Sequence, residues 1–188
     1  MLNRITREQA LELLHQHITS PQLIKHSLAT EAVMRVLAGR LAADPDQWGL
    51  AGLLHDLDAQ QTLDDPARHT HQTVDLLQKL NLDPELIEAV RLHNELAHPD
   101  RRSTCFQHAL AAGETITGLI SATALVYPDR RLASVKAKSV RKRFKEKAFA
   151  AGANREIIRE CELCGIPLDE FCDICLQAMQ QVSDELGL

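Results

Sequence analysis

Aromatic residues are nearly missing from this chain: one Trp, one Tyr and four Phe make up 3% of 188 residues. Sheets draw on aromatic and β-branched side chains. No segment alternates apolar and polar residues over a strand's length, so a β-rich fold is excluded. Long apolar runs are missing too. The longest, "GLISATALVY" from Gly118 to Tyr127, is about half of the roughly 20 residues that cross a bilayer as a helix, so no membrane partner is expected. The opening "MLNRITREQALELL" lacks the zones of a secretory signal. Together with an odd number of cysteines, five, this leads to the expectation of a cytoplasmic protein. Neither GxSxG nor a P-loop occurs, which argues against nucleophile-elbow and NTPase chemistry. Internal repeats and low-complexity tracts are absent.

What is present is helix punctuation. Thr6 with Gln9 reads as a capping box opening a first helix that ends near Ile18. Pro21 opens a second helix running to about Ala43, and "DPDQW" opens a third ending around Leu57. A fourth is expected from about His69 to Leu80, a fifth from Pro84 to His93, and a long sixth from about Thr104 to Val126. A seventh is expected over about Ser134 to Ala151, closed by Gly152. Asn154 caps an eighth, and a ninth reaches the C-terminus. The fold class is all-α. One domain is expected over 1–188, with a core of about 21–126 and a basic helix plus helical hairpin over about 130–188.

On a helix, residues three, four and seven apart share a face. His26 lies in line with Val33 and Leu37, and Asp56 in line with Gly49 and Gly52. His55 follows Trp48 and Ala51, His69 precedes Thr73, Leu76 and Leu80, and His93 ends the stripe of Leu86 and Val90. Glu114 falls between Leu110 and Thr117. Any one of these alone reads as a core histidine or acid with a local partner. Several on separate helices would each need a partner of their own, whereas one cation satisfies them together. Imidazoles mixed with carboxylates suit a divalent transition metal, Mn, Fe, Zn, Ni or Co, better than Mg.

The order of these residues resembles the HD-domain superfamily of metal-dependent phosphohydrolases. Its signature is a histidine, a His-Asp doublet and a distal acid. Here His26 stands in "LIKHSLATEAVM", His55-Asp56 in "AGLLHDLD", and the acid in "AAGETITGLI". The resemblance extends through "KSVRKRFKEKAFAAGANRE" towards a subgroup of unassigned substrate. It implies an HD-type helical bundle and a first metal held by His26, His55, Asp56 and Glu114. The distal acid is usually Asp; Glu114 is one methylene longer, which shifts its carboxylate by about a bond length. Some members hold a second metal through two further histidines, whose places His69 and His93 fill in order. In that form Asp56 would bridge the ions, and His55 and Asp56 would orient the attacking water or hydroxide. The substrate implied is a small phosphomonoester or phosphodiester, with nucleotides suggested by analogy. The competing reading is a non-catalytic module that binds a nucleotide or a protein, its metal structural.

Between Arg130 and Lys147 stand nine Lys or Arg residues and one Glu, in a chain of net charge −5. Lys138, Arg141, Lys142 and Lys145 share one face opposite Val140, Phe144 and Ala148. They are expected to form a substrate-binding anion collar, the alternative being a solvated helix face. Without interleaved aromatics, the stretch argues against nucleic-acid binding. The set Cys161, Cys164, Cys172 and Cys175 has zinc-like CxxC spacing, but on helices it reads as core packing. Arg155, after the Asn154 cap, is expected at the surface in a first turn, the alternative being a phosphate contact. His15, His17, His71, His98 and His108 have no assigned role.

Overall fold

The computed structural model describes residues 5–188. Among them there are ten α-helices, three short 3-10 segments and no strand. The helices are α1 (Arg7–His17), α2 (Pro21–Arg40), α3 (Pro45–Leu54), α4 (His71–Lys79) and α5 (Pro84–His93). They continue with α6 (Cys105–Leu125), α7 (Ala137–Lys145), α8 (Arg155–Arg159), α9 (Leu168–Gln181) and α10 (Ser183–Leu186). The punctuation explains most of the starts. Thr6 with Gln9 and Thr104 with Gln107 form capping boxes, while Asp44, Asp83 and Asn154 accept from first-turn amides. Pro21, Pro45 and Pro84 occupy first-turn positions, where no amide proton is needed.

Helix α6 is the central rod. Leu110, Ile116, Leu119 and Ile120 are fully buried, and α2, α5, α8 and α9 all pack against this helix. Burying each such side chain is worth about 1.5–3 kcal/mol. Trp48 of α3 stacks on Phe106 of α6, with ring centroids 4.7 Å apart and planes 2° from parallel. Phe171, Cys172, Cys175 and Met179 of α9 belong to the same core cluster as Val33 and Leu37 of α2.

One close approach sets the geometry that matters most. A Cβ on Gly52 of α3 would lie 2.8 Å from the carbonyl of Thr30 in α2, so only glycine lets these two backbones meet. His26 is one turn before Thr30, and His55 follows Gly52 by three residues. The small residue therefore brings the two imidazoles together.

Several boundaries differ from the sequence expectation, among them the end of α2, at Arg40 rather than near Ala43. Helix α3 stops at Leu54, and His55 and Asp56 lie in the turn beyond it. Helix α4 begins at His71 rather than His69, because Thr70 adopts φ 89° and breaks the helical path. The basic helix covers only Ala137–Lys145; from Glu146 the chain runs through turns, with Ala150 at φ 45°. The C-terminal helix divides at Val182, giving ten helices where nine were expected.

Arg155 departs from expectation as well. It is buried, not at the surface, and its guanidinium donates to the carbonyls of Arg143, Phe144, Glu146, Phe149, Ala150 and Ala153. A helix end and an irregular loop leave carbonyls without backbone partners, and the five N–H donors of arginine satisfy them from one point. This contact holds the 146–153 segment in place, with the sixth carbonyl shared by bifurcation.

Candidate metal centre

Four imidazoles converge on the Asp56 carboxylate. Nε2 of His69 lies 3.0 Å from Asp56 Oδ1, and Nε2 of His55 and of His93 each lie 3.4 Å from it. His26 Nε2 faces the other oxygen at 3.6 Å and stands 3.8 Å from Glu114 Oε2. The Nε2 atoms of His26 and His55 are 3.1 Å apart, as are those of His69 and His93. Thus α2, the turn after α3, the turn before α4, the last residue of α5 and the middle of α6 each supply a group.

The opposite ring nitrogens fix which atom faces inward. His55 and His93 each sit beyond or at a helix end and donate from Nδ1 to a carbonyl three residues back, Gly52 at 2.8 Å and Val90 at 2.7 Å. Carbonyls left open at a helix C-terminus are natural acceptors for this bond. His69 Nδ1 donates to Asp58 Oδ1 at 2.8 Å. For His26 the partner is Thr117 Oγ1 at 3.0 Å; that hydroxyl gives its own proton to the Glu114 carbonyl at 2.7 Å, so it accepts from the ring. All four Nδ1 atoms are therefore donors, and all four Nε2 atoms present lone pairs to one another when the rings are neutral. Two lone pairs at 3.1 Å repel unless a proton or a metal ion lies between them.

A transition metal fits this donor set. Ligand bonds of about 2.0–2.1 Å give ligand-to-ligand edges of roughly 2.8–3.4 Å at right-angled to tetrahedral geometry. Most of the separations above fall in that range. Two overlapping groups, His26 with His55 and Glu114, and His55 with Asp56 and His93, have ligand atoms all within 4.8 Å of one another.

Burial and mutual charge act strongly here. Burial pushes the fully enclosed His55 down to about 3. Burial alone would raise the Asp56 carboxyl, but the facing imidazoles outweigh it and hold it well below the usual carboxylate range. His69 goes the other way: against burial, the Asp56 and Asp58 carboxylates raise it to about 10. Glu114 is raised, chiefly by burial. Its Oε1 accepts from the Thr115 hydroxyl, which leaves Oε2 towards His26.

Asp58 escaped the sequence reading. It is buried, and besides His69 it accepts from the backbone amides of Thr70, Gln72 and Thr73. A carboxylate at a helix N-terminus offsets the helix dipole, so one residue both starts α4 and orients a ring of the site. The signal available was the short spacing Asp56-x-Asp58. Arg102 was missed as well: it donates to the Leu92 carbonyl at 2.8 Å and pairs with Glu160, which also holds His108 at 2.6 Å.

Above the imidazoles opens a cavity of about 770 Å³, reached past His26, His69 and Glu114 on one side and the 150–154 loop on the other. None of Lys138, Arg141, Lys142 and Lys145 lines it. Arg141 instead pairs with Asp173 of α9 at 2.6 Å, and Lys142 stands 4.0 Å from Glu146. The expected collar is displaced because Val140 and Phe144 turn the apolar face of α7 inward, carrying the cations away from the cavity. Cys161 and Cys164 lie in a 3-10 segment, and Cys172 and Cys175 on α9. No cysteine joins a cluster able to hold a metal among the described residues. Burial raises the thiols of Cys161 and Cys172 to about 12, consistent with inert core packing. No helix among the described residues is long and apolar enough to cross a membrane.

Comparison with known proteins agrees with this geometry. Ribonuclease Y of Sulfurovum sp. (strain NBC37-1) is 26% identical over 137 residues, which cover 71% of this chain but only 26% of that protein. The chain thus spans about a quarter of the length of that relative. No solved structure matches. A family model of the HD domain matches residues 23–123, the segment holding all six converging residues. The chain belongs to the HD domain family, whose members are in general metal-dependent phosphohydrolases.

Proposed function

We propose that this chain hydrolyses a phosphoester with a divalent transition metal held by the converging side chains. The observation that carries the reading is the common orientation of four imidazoles, each tied at Nδ1 and open at Nε2, around one carboxylate. His26, His55, Asp56 and Glu114 would hold one ion, and Asp56, His69 and His93 a second. When bound, such an ion supplies Lewis acidity towards water and a phosphoryl oxygen. Asp56 faces His26 with Oδ2, while His55, His69 and His93 all face Oδ1. His55, fully enclosed and locked to Gly52, keeps the doublet rigid. The cavity above gives a small phosphorylated substrate room to approach from the side of His26, His69 and Glu114.

A phosphodiester is favoured over a monoester by the likeness to a ribonuclease, whose substrate is joined by such bonds. The test is a screen of 4-nitrophenyl phosphate and bis(4-nitrophenyl) phosphate with added Mn or Fe, on wild type and Asp56→Ala. Turnover in wild type and none in the variant is expected. A fully active variant would overturn the assignment. Absence of turnover with metal bound would favour the alternative of a binding module, for which Glu114 in place of the usual Asp is the motive.

A further inference from the structure

The cavity lining is of two kinds. His26, His69 and His93 with Asp56 and Glu114 are one; the apolar Leu96, Ala150, Ala153 and Ile157 are the other. Leu96 belongs to the apolar wall, with 69% of its surface exposed. A large apolar side chain left open beside a reaction centre is a surface for an apolar group to cover.

Among the described residues, the same lining contains neither Lys nor Arg to help bind a substrate. Two arginines beside it, Arg155 and Arg102, are already engaged, whereas Arg68, next to His69, is exposed. Arg155, next to Asn154, is filled by six carbonyls, and Arg102 is held by Glu160, Glu95 and the Leu92 carbonyl. Glu95, also in the lining, is paired with Arg102. Within the lining, attraction for an anion would come from bound metal, offset in part by Asp56 and Glu114. Sites for polyphosphates supply arginine or lysine to the outer phosphates, and this wall offers them leucine, alanine and a carboxylate.

We propose that the cavity takes a phosphodiester of single negative charge whose non-reacting substituent is a flat or apolar group lying on Leu96, Ala153 and Ile157, and that it disfavours polyphosphates. This rests on the hydrolase reading above. The reaction adds water across one ester bond. The water oxygen bonds to phosphorus, the leaving oxygen departs with the electron pair and takes one water proton, and the product is a monoester.

Two substrates with one leaving group isolate the claim: phenyl 4-nitrophenyl phosphate and methyl 4-nitrophenyl phosphate, given to Mn-loaded full chain, with ATP as the polyphosphate. The phenyl ester should be turned over with kcat/KM about tenfold or more above the methyl ester, the scale expected for covering a ring. ATP should be poorer than either. Leu96→Ala, a change at an exposed position, should lower the phenyl-to-methyl ratio of kcat/KM severalfold. Calorimetry with phenyl methylphosphonate, a singly charged mimic, should show binding weakened by the same variant. Equal turnover of both esters, or ATP as the better substrate, overturns the proposal while leaving the hydrolase reading standing. With no turnover of any ester, the hydrolase reading fails, and calorimetry decides the cavity: binding sensitive to Leu96 upholds its preference, and no binding overturns it.

Discussion

Thr117 Oγ1 accepts a hydrogen bond from His26 Nδ1 at 3.0 Å. Because the hydroxyl proton is engaged by the Glu114 carbonyl, the threonine dictates the tautomer of a histidine 91 residues away in sequence. Thr117→Val keeps the volume and removes the acceptor. Metal affinity is expected to fall about 10–100-fold, the usual effect of losing such an outer partner. Calorimetric titration of the metal-free variant checks this, and unchanged affinity would show that His26 needs no orientation.

Asp58 serves both His69 and the start of α4. Asp58→Asn removes one acceptor and the negative charge at the helix N-terminus. Stability is expected to fall by about 1–3 kcal/mol, since buried donors lose their partner. Urea unfolding measures that loss. Weaker metal binding should accompany it, and should survive comparison at a temperature where both proteins are folded.

Gly52 is expected to tolerate no side chain. Gly52→Val would push its Cβ into the Thr30 backbone, where only 2.8 Å is available. Overpacking of this kind costs about 1–3 kcal/mol. The variant should also bind less metal per folded chain, because the same shift separates His26 from His55. A variant with wild-type melting and metal content would contradict the close approach of α2 and α3.

Acid should weaken the brace behind His93. Burial raises the Glu160 carboxyl, but Arg102 and His108 outweigh it and leave it below its ordinary value of 4.5. A carboxyl depressed in the folded state stabilises the fold above its unfolded value, and that contribution is lost as pH falls through the folded value. Glu160→Gln should therefore be less stable than wild type at neutral pH, and the two should converge as pH falls below 4.5 and through the folded value. Melting curves from pH 7 to pH 3 test this; parallel curves would contradict it.

Much of the cluster was legible in the sequence because its residues lie on or beside helices whose faces follow from spacing. The helical period put His26, Glu114 and His93 on inward stripes, and the resemblance to the HD domain joined them with the doublet into one candidate set. His69 was found for a partly wrong reason: it sits in a turn, held by Asp58, and no local pattern announces a carboxylate that caps a helix from outside it. Arg155 was misplaced for a similar reason. Its partners are carbonyls of an irregular loop, and sequence carries no mark of an unsatisfied carbonyl. The basic cluster was visible as charge, but the direction it faces depends on how α7 packs on α9.

The central claim is that these six residues hold a metal. Elemental analysis of wild type and Asp56→Ala, purified in parallel and reconstituted with Mn, Fe or Zn, tests it most directly. One or two ions per chain in wild type, lost from a variant that still folds, is the result expected. Equal metal in both proteins, or none in wild type after reconstitution, would contradict the account.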